Sequence, residues 1–197
     1  MALGNDAELS FGDELPLTQA ATRFARRRHA GQRRAGDRAP FVIHPLEVAA
    51  LLERAGCSDA VVAAGVVHDV LEDTETVYAE LASEVGREVA DLVVVVSDAP
   101  GIEDEEERKR DVRERVRRHG GAALLIYAAD KVSKVRELRT AAALATGDED
   151  VPVKLARHRA SLAMLELEIP EHHLVELLRS EIRALEQVPL SRAQQHG

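Results

Sequence analysis

The stretch AGVVHDVLEDTE, from Ala64 to Glu75, sets His68 and three carboxylates, Asp69, Glu72 and Asp73, directly behind an apolar run. Burying unpaired charge costs several kcal/mol per ion even after relaxation, so these groups need a compensating partner. If the helix that begins near Val61 continues through Leu71, residues four apart share a face, which sets Glu72 beside His68 and Asp73 beside Asp69. His68 and Asp69 themselves diverge by roughly 100° about the axis, yet a metal ion between their directions is within reach of both. Two ligands do not complete a site. The other candidates are His44, just before Pro45, and Asp130, on a segment that otherwise faces inward. Two imidazoles and two carboxylates suit a borderline divalent ion such as manganese, iron or zinc, with positions left for water and substrate. Residue types alone leave ordinary roles open as well. His44 or His68 also suits a hydrogen-bonded core, Asp130 a salt bridge to Lys131 or Arg136, and Glu72-Asp73 a helix cap.

A second signal is cationic. Between Arg23 and Arg38 lie seven arginines and one acid, Asp37, in a chain of net charge −9. A local positive patch on an anionic body attracts a small polyphosphate without offering a polymer-binding surface. The arginine fork binds phosphate in two places at once. Arg26, Arg27 and Arg28 read as a solvated helix face, whereas the loop residues Arg33, Arg34 and Arg38 are candidates for substrate phosphates.

Composition narrows the setting. The 197 residues are 45% hydrophobic and only 3% aromatic, so the core must be aliphatic, which suits helix packing. The negative charge argues against a nucleic-acid polymer as partner. A lone cysteine, Cys57, forms no internal disulfide and fits a reducing compartment. The start, MALGNDAELSFGDELP, has no basic head followed by an apolar core. No apolar run approaches the roughly 20 residues of a membrane helix. The expectation is a cytoplasmic protein with no membrane partner, and the sequence leaves a homo-oligomer open.

The elements that position these groups read as an all-α bundle. The expected layout is an N-terminal arm over 1–15, one domain over 16–188 and a frayed tail over 189–197. Leu17, Ala20, Ala21, Phe24 and Ala25 make one helical face that carries His29 inward. Gly31, Gly36 and Pro40 break it into a loop, and Pro45 opens the next helix, which stops at Gly56. Ser58 or Asp59 is placed to cap the buried helix that follows, and Thr74 or Thr76 the one after it. LVVVV is short enough to read as a buried strand, but a helix is preferred because its flanks keep the period. Glu103 to His119 is an exposed helix of charge pairs. A further inward face carries Asp130, the polar loop TGDED follows, and two amphipathic helices cover about 152–168 and 170–187.

FVIHPLEVA, GVVHDVLEDT and AADKVSKVREL together resemble the H…HD…D motifs of the HD superfamily of metal-dependent phosphohydrolases. HAGQRR and the EDT after HD resemble one branch of it, the RelA/SpoT-type hydrolases of the alarmones guanosine tetra- and pentaphosphate (ppGpp and pppGpp) of the stringent response. The resemblance spans roughly Leu17 to Leu138 and implies a single HD-domain helical bundle acting as a stand-alone small alarmone hydrolase. It implies metal ligation by His44, His68, Asp69 and Asp130, usually of manganese. Glu72 and Asp73 match the acidic pair that positions or activates the attacking water, Arg34 an arginine of the substrate site, and His29 a supporting position. The bond cut in that family is the ester between pyrophosphate and the ribose 3′ oxygen, giving GDP or GTP and pyrophosphate. Two positions depart from the pattern: Lys134 stands where the family has asparagine, and Ala35 where it often has lysine. Lysine is longer, charged and accepts no hydrogen bond; it could pair with a substrate phosphate or mark a changed substrate. The alternatives are therefore hydrolysis of another nucleotide phosphate, such as NADPH or a nucleoside phosphate, and a non-catalytic nucleotide-binding regulator, against which the retained ligands and acids speak.

Overall fold

The apolar run before His68 forms the centre of the molecule. In the computed structural model, which describes residues 15–35, 37–144 and 150–190, it becomes α3 (Asp59–Val67), in which every residue from Ala60 to Val67 except Val61 is buried. A helix apolar nearly all round has to be surrounded, and α3 packs against α1 (Pro16–Arg28), α2 (Ile43–Arg54), α6 (Arg87–Val96) and α8 (Gly121–Leu144). The second organiser is α8, which also meets α7 (Glu105–His119), α9 (Val151–Glu168) and α10 (His173–Glu186). A four-residue α4 (Val70–Asp73) and α5 (Tyr78–Val85) complete the order, and the described residues contain no strand, only an isolated bridge between Arg33 and Pro40. The fold is the expected all-α bundle, and LVVVV is helical.

Small residues let α2 and α3 approach closely. A Cβ on Gly65 would lie 2.5 Å from Leu52 Cδ1 and 3.4 Å from Val48 Cγ1, so only glycine fits this crossing as it stands. That contact brings His44, in the first turn of α2, opposite His68 at the end of α3.

Several local expectations change. The buried helix does not run through to Leu71: α3 ends at Val67, and His68-Asp69 form a turn before α4. The imidazole causes part of this, because His68 Nδ1 bonds the Gly65 carbonyl at 2.8 Å and withdraws it from the helical ladder. Neither Ser58 nor Asp59 caps α3 with its side chain. The Asp59 carboxylate serves α1 instead, accepting from the amides of Leu17 at 2.8 Å and Thr18 at 2.9 Å, which satisfies orphan donors of that terminus from a different helix. Thr74 and Thr76 bond each other at 2.7 Å and do not cap α5. For α7 the prediction stands: Asp104 accepts from the Glu107 amide at 2.7 Å, acids fill the first turn and basic residues the last, as the helix dipole favours. Leu15 and Leu190 both pack against the core, so the packed unit reaches both ends of the described residues. The expected arm up to residue 14, the tail from 191, and residues 145–149 of the polar loop lie outside the described residues. No helix of the described residues is long and apolar enough to cross a membrane.

Candidate metal centre and active site

Four side chains from three parts of the chain meet in the interior. His44 comes from the start of α2, His68 and Asp69 from the turn between α3 and α4, and Asp130 from the middle of α8. All four are buried. His44 Nε2 lies 3.3 Å from His68 Nε2, 3.2 Å from Asp69 Oδ2 and 3.3 Å from Asp130 Oδ1. His68 Nε2 is 3.0 Å from Asp69 Oδ1.

Hydrogen bonds behind the rings settle what these atoms offer. His68 Nδ1 faces the Gly65 carbonyl at 2.8 Å, and a carbonyl only accepts, so the ring proton sits on Nδ1. His44 Nδ1 faces Ser133 Oγ at 2.9 Å while that hydroxyl donates to Glu47 Oε2 at 2.7 Å, so His44 too is a donor at Nδ1. Neutral rings in these tautomers turn both Nε2 lone pairs toward one another and toward two carboxylates. Asp69 Oδ2 and Asp130 Oδ1 are buried without a well-aligned hydrogen bond, although an ammonium stands 3.0 Å from the latter. An interior cluster made only of acceptors is unstable unless a cation joins it. Two imidazole nitrogens and two carboxylates are a donor set for a divalent transition ion, each ring backed by an outer hydrogen bond as metal-bound histidines are. His44, His68 and Asp130 each present one ligand atom within 4.8 Å of the others. Without a metal, protons and lysines take the cation's place. Burial opposes charge on His68, but Asp69 and Asp130 outweigh it and hold its pKa at about 10. Burial likewise works against the carboxylates of Asp69 and Asp130, yet His68 beside the first and Lys131 beside the second, with Lys134 near both, keep them far below the usual range.

Glu72 and Asp73 lie in α4, directly after the cluster residue Asp69. Glu72 Oε1 accepts the Asp98 amide at 2.8 Å. Partial desolvation raises the pKa of both carboxyls, and the Asp69 charge adds to it. His29 is buried at the end of α1, where its Nδ1 donates to Gln32 Oε1 at 2.7 Å, and Gln32 Nε2 donates to the Asp73 carbonyl at 2.7 Å. Gln32 thus links the His29 ring to the backbone of Asp73.

The arginines between Arg23 and Arg38 make their own contacts. Arg27 pairs with Glu84 and Arg28 with Glu80. Arg33 donates to the Arg38 carbonyl at 3.2 Å, and Arg38 itself adopts a positive φ of 61°. Arg34 is bonded to Asp37 and lies 3.9 Å from Glu137. Arg34 thus shares its charge with Asp37 and Glu137, and none of Arg33, Arg34 and Arg38 joins the metal cluster. Lys134 does reach it, with Nζ 3.0 Å from Asp130 Oδ1 and 3.7 Å from Asp69 Oδ1.

Lys134, singled out in the sequence, and five cations that were not line a cleft of about 270 Å³ between α7, α8 and α9. Lys109, Arg113, Lys131, Lys134, Lys154 and Arg157 line it, against only two carboxylates, Glu105 and Glu137. Lys131 and Lys134 both pair with Asp130, so the cleft adjoins the cluster. His158 also lines it; burial, then the charge of Lys131, lowers its pKa to about 3 and leaves a neutral ring among the cations.

A profile of the family described as HD domain matches residues 21–160, which include all four clustered side chains. The chain belongs to the HD-domain family. Within that family it is 34% identical over 126 residues to a guanosine-3′,5′-bis(diphosphate) 3′-pyrophosphohydrolase, MESH1, of Xenopus tropicalis, covering 62% of this chain and 70% of that one. The human protein of the same name is 36% identical over 130 residues, 64% of this chain and 72% of the relative. Against the guanosine-3′,5′-bis(diphosphate) 3′-pyrophosphohydrolase of Aquifex aeolicus the identity is 32% over 122 residues, and the match spans only 17% of that longer protein. Among solved structures, a metazoan ortholog of SpoT superposes with a TM-score of 0.76 at 24% identity, covering 91% of this HD-domain chain and 99% of that chain. A protein from Listeria monocytogenes superposes with a TM-score of 0.64 at 27% identity, over 75% and 98% of the two chains.

Proposed function

We propose that this HD-domain protein hydrolyses guanosine 3′,5′-bispyrophosphate, as ppGpp or pppGpp, with a divalent metal ion, manganese by preference, giving GDP or GTP and pyrophosphate. The observation that carries the reading is the buried, acceptor-only set of His44, His68, Asp69 and Asp130 adjoining a cleft lined by six cations. The frog and human relatives bear the name of this activity. A cytoplasmic location goes with a free nucleotide substrate.

His44 and His68, through Nε2, and the carboxylates of Asp69 and Asp130 would hold the ion. When bound, it supplies Lewis-acid polarisation and a lowered pKa for water. The chain does the rest. Lys131 and Lys134 orient the substrate phosphates at the junction of cluster and cleft, with Lys154 and Arg113 farther along the wall. Glu72 and Asp73 orient the attacking water and take its proton. The water oxygen forms the new bond to phosphorus, the bond from phosphorus to the ribose 3′ oxygen breaks, and the withdrawn proton ends on that oxygen. All four ligands come from one chain, so a monomer has a complete set.

Purified protein with Mn2+ and ppGpp is expected to release GDP and pyrophosphate, and Glu72→Gln to lower kcat by about 10²-fold or more while still binding Mn2+. Absence of pyrophosphate release by a protein that demonstrably binds Mn2+ sinks the alarmone reading. Lys134, which departs from the asparagine that the family resemblance leads one to expect, favours a second reading, hydrolysis of another nucleotide phosphate. A panel of ppGpp, pppGpp, NADPH and simple nucleotides separates the two by kcat/KM.

A further inference from the structure

Behind His44 runs a chain of hydrogen bonds with a single polarity. His44 Nδ1 donates to Ser133 Oγ at 2.9 Å, and Ser133 donates to Glu47 Oε2 at 2.7 Å. From the other side Arg136 Nη1 donates to Glu47 Oε1 at 2.8 Å, while Arg136 Nε is held by Glu181 Oε1 at 2.7 Å. Arginine has only donors and a carboxylate only acceptors. Glu47 is therefore the sink toward which every proton of the chain points, and the far end of that chain is the bare Nε2 of His44. Ser133 is buried, and its hydroxyl has no freedom to turn around while Glu47 accepts from it.

We infer that Glu47 and Ser133 are positioning residues that set the tautomer of His44 and thereby the metal affinity of the cluster. Neither residue touches the ion or the substrate. Their action is to keep a lone pair rather than an N–H directed at the cation, across α2 and α8. The inference rests on reading the cluster as a metal centre.

Glu47→Gln isolates the effect because it keeps size and shape. Its carbonyl oxygen must face Arg136, which can only donate, so its NH2 faces Ser133. The hydroxyl then accepts from the amide and turns its own proton to His44 Nδ1, which puts the ring proton on Nε2, facing the cluster. Ser133→Ala removes the link and leaves the ring without a preferred tautomer.

The test measures tautomer and affinity separately. Long-range 1H–15N spectra of the metal-free protein are expected to show His44 protonated at Nδ1 in the wild type and at Nε2 in Glu47→Gln. Titration calorimetry with Mn2+ is expected to show affinity lowered by about tenfold or more in Glu47→Gln and lowered, by less, in Ser133→Ala. Thermal melts in EDTA establish that both variants are folded. An unchanged His44 tautomer in Glu47→Gln, or Mn2+ affinity within twofold of wild type in both variants, overturns the inference. A wild type that takes up no Mn2+ removes the metal reading instead, and the spectra still decide whether Glu47 sets the tautomer.

Discussion

The Lys134 ammonium lies 3.0 Å from Asp130 Oδ1, one helical turn behind it on α8, and so supplies a cation to the same oxygens a metal would use. Burial works against its charge, but Asp130, Asp69 and Glu72 outweigh it and raise its pKa well above the ordinary lysine value. A metal entering the cluster must share these oxygens with Lys134 or displace it. Lys134→Asn should therefore tighten Mn2+ binding. A pair at 3.0 Å is worth about 5.5 kcal/mol at an effective dielectric of 20. With 39% of the side chain exposed, solvent screening reduces that to about 1.4 kcal/mol, or roughly tenfold in affinity. The same variant should melt lower than wild type in EDTA, because two buried carboxylates lose their counter-ion. Calorimetry and melting curves check both; weaker Mn2+ binding in Lys134→Asn contradicts the competition.

Metal and stability should be linked through the same atoms. A ligand at 100 times its Kd adds about 2.7 kcal/mol to the folded state. For a domain of this size that is a rise of about 5–10 °C in Tm when Mn2+ replaces EDTA. Asp130→Asn takes away one ligand oxygen's charge and should abolish most of the rise. Differential scanning fluorimetry reads this directly, with the variant's own EDTA melt as its baseline.

How legible was this in the sequence? The motifs FVIHP, VVHDVLEDT and AADK named all four cluster members, because ligand chemistry is carried by residue type and the motifs stand in a fixed order. The helical class and the aliphatic core were legible from period and composition. The turn at His68-Asp69 was not, since it depends on a ring nitrogen capturing the Gly65 carbonyl, a contact with no periodic signature. Of the cationic cleft only Lys134 was legible. Arg27, Arg28 and Arg34 stand out in the chain and are paired with Glu84, Glu80 and Asp37 in space. Lys131 and Lys154 sit among acids and apolar residues and Lys109 between two arginines, and only the packing of α7, α8 and α9 brings them into one cleft with Lys134. Glu47 and Ser133, 86 positions apart, gave no local signal at all.

A pH dependence follows from His68. Its folded pKa is raised to about 10 from 6.5, so its contribution is fully present below about pH 6.5, declines as pH rises, and is gone above about 10. The metal-free protein should accordingly lose stability between pH 6.5 and 10, by at most about 1.4 kcal/mol per pH unit. A metal that holds His68 as a neutral ligand has to displace that proton, so Mn2+ affinity should rise over the same interval. Melts in EDTA at pH 6.0 and 8.0, each repeated with saturating Mn2+, test the pair. A larger Mn2+-induced rise in Tm at pH 6.0 than at pH 8.0 reverses the predicted sign.

Gly65 joins packing to chemistry twice, through its missing side chain and its carbonyl. Gly65→Ala places a Cβ 2.5 Å from Leu52 Cδ1, and because Leu52 is fully buried its side chain must shift within the packed crossing of α2 and α3. Overpacking of this kind costs about 1–3 kcal/mol, partly offset by the roughly 1 kcal/mol helix preference of alanine over glycine. The larger consequence concerns the site. The crossing sets the 3.3 Å between His44 Nε2 and His68 Nε2, and the Gly65 carbonyl anchors His68 Nδ1 at 2.8 Å. A modest loss of Tm should therefore accompany a disproportionate loss of Mn2+ affinity. Val62→Ala, on the same buried helix but without either contact to the site, should lower Tm by a similar or larger amount and leave Mn2+ affinity nearly unchanged. Equal effects of the two variants on affinity would show that the crossing does not set the geometry of the metal centre.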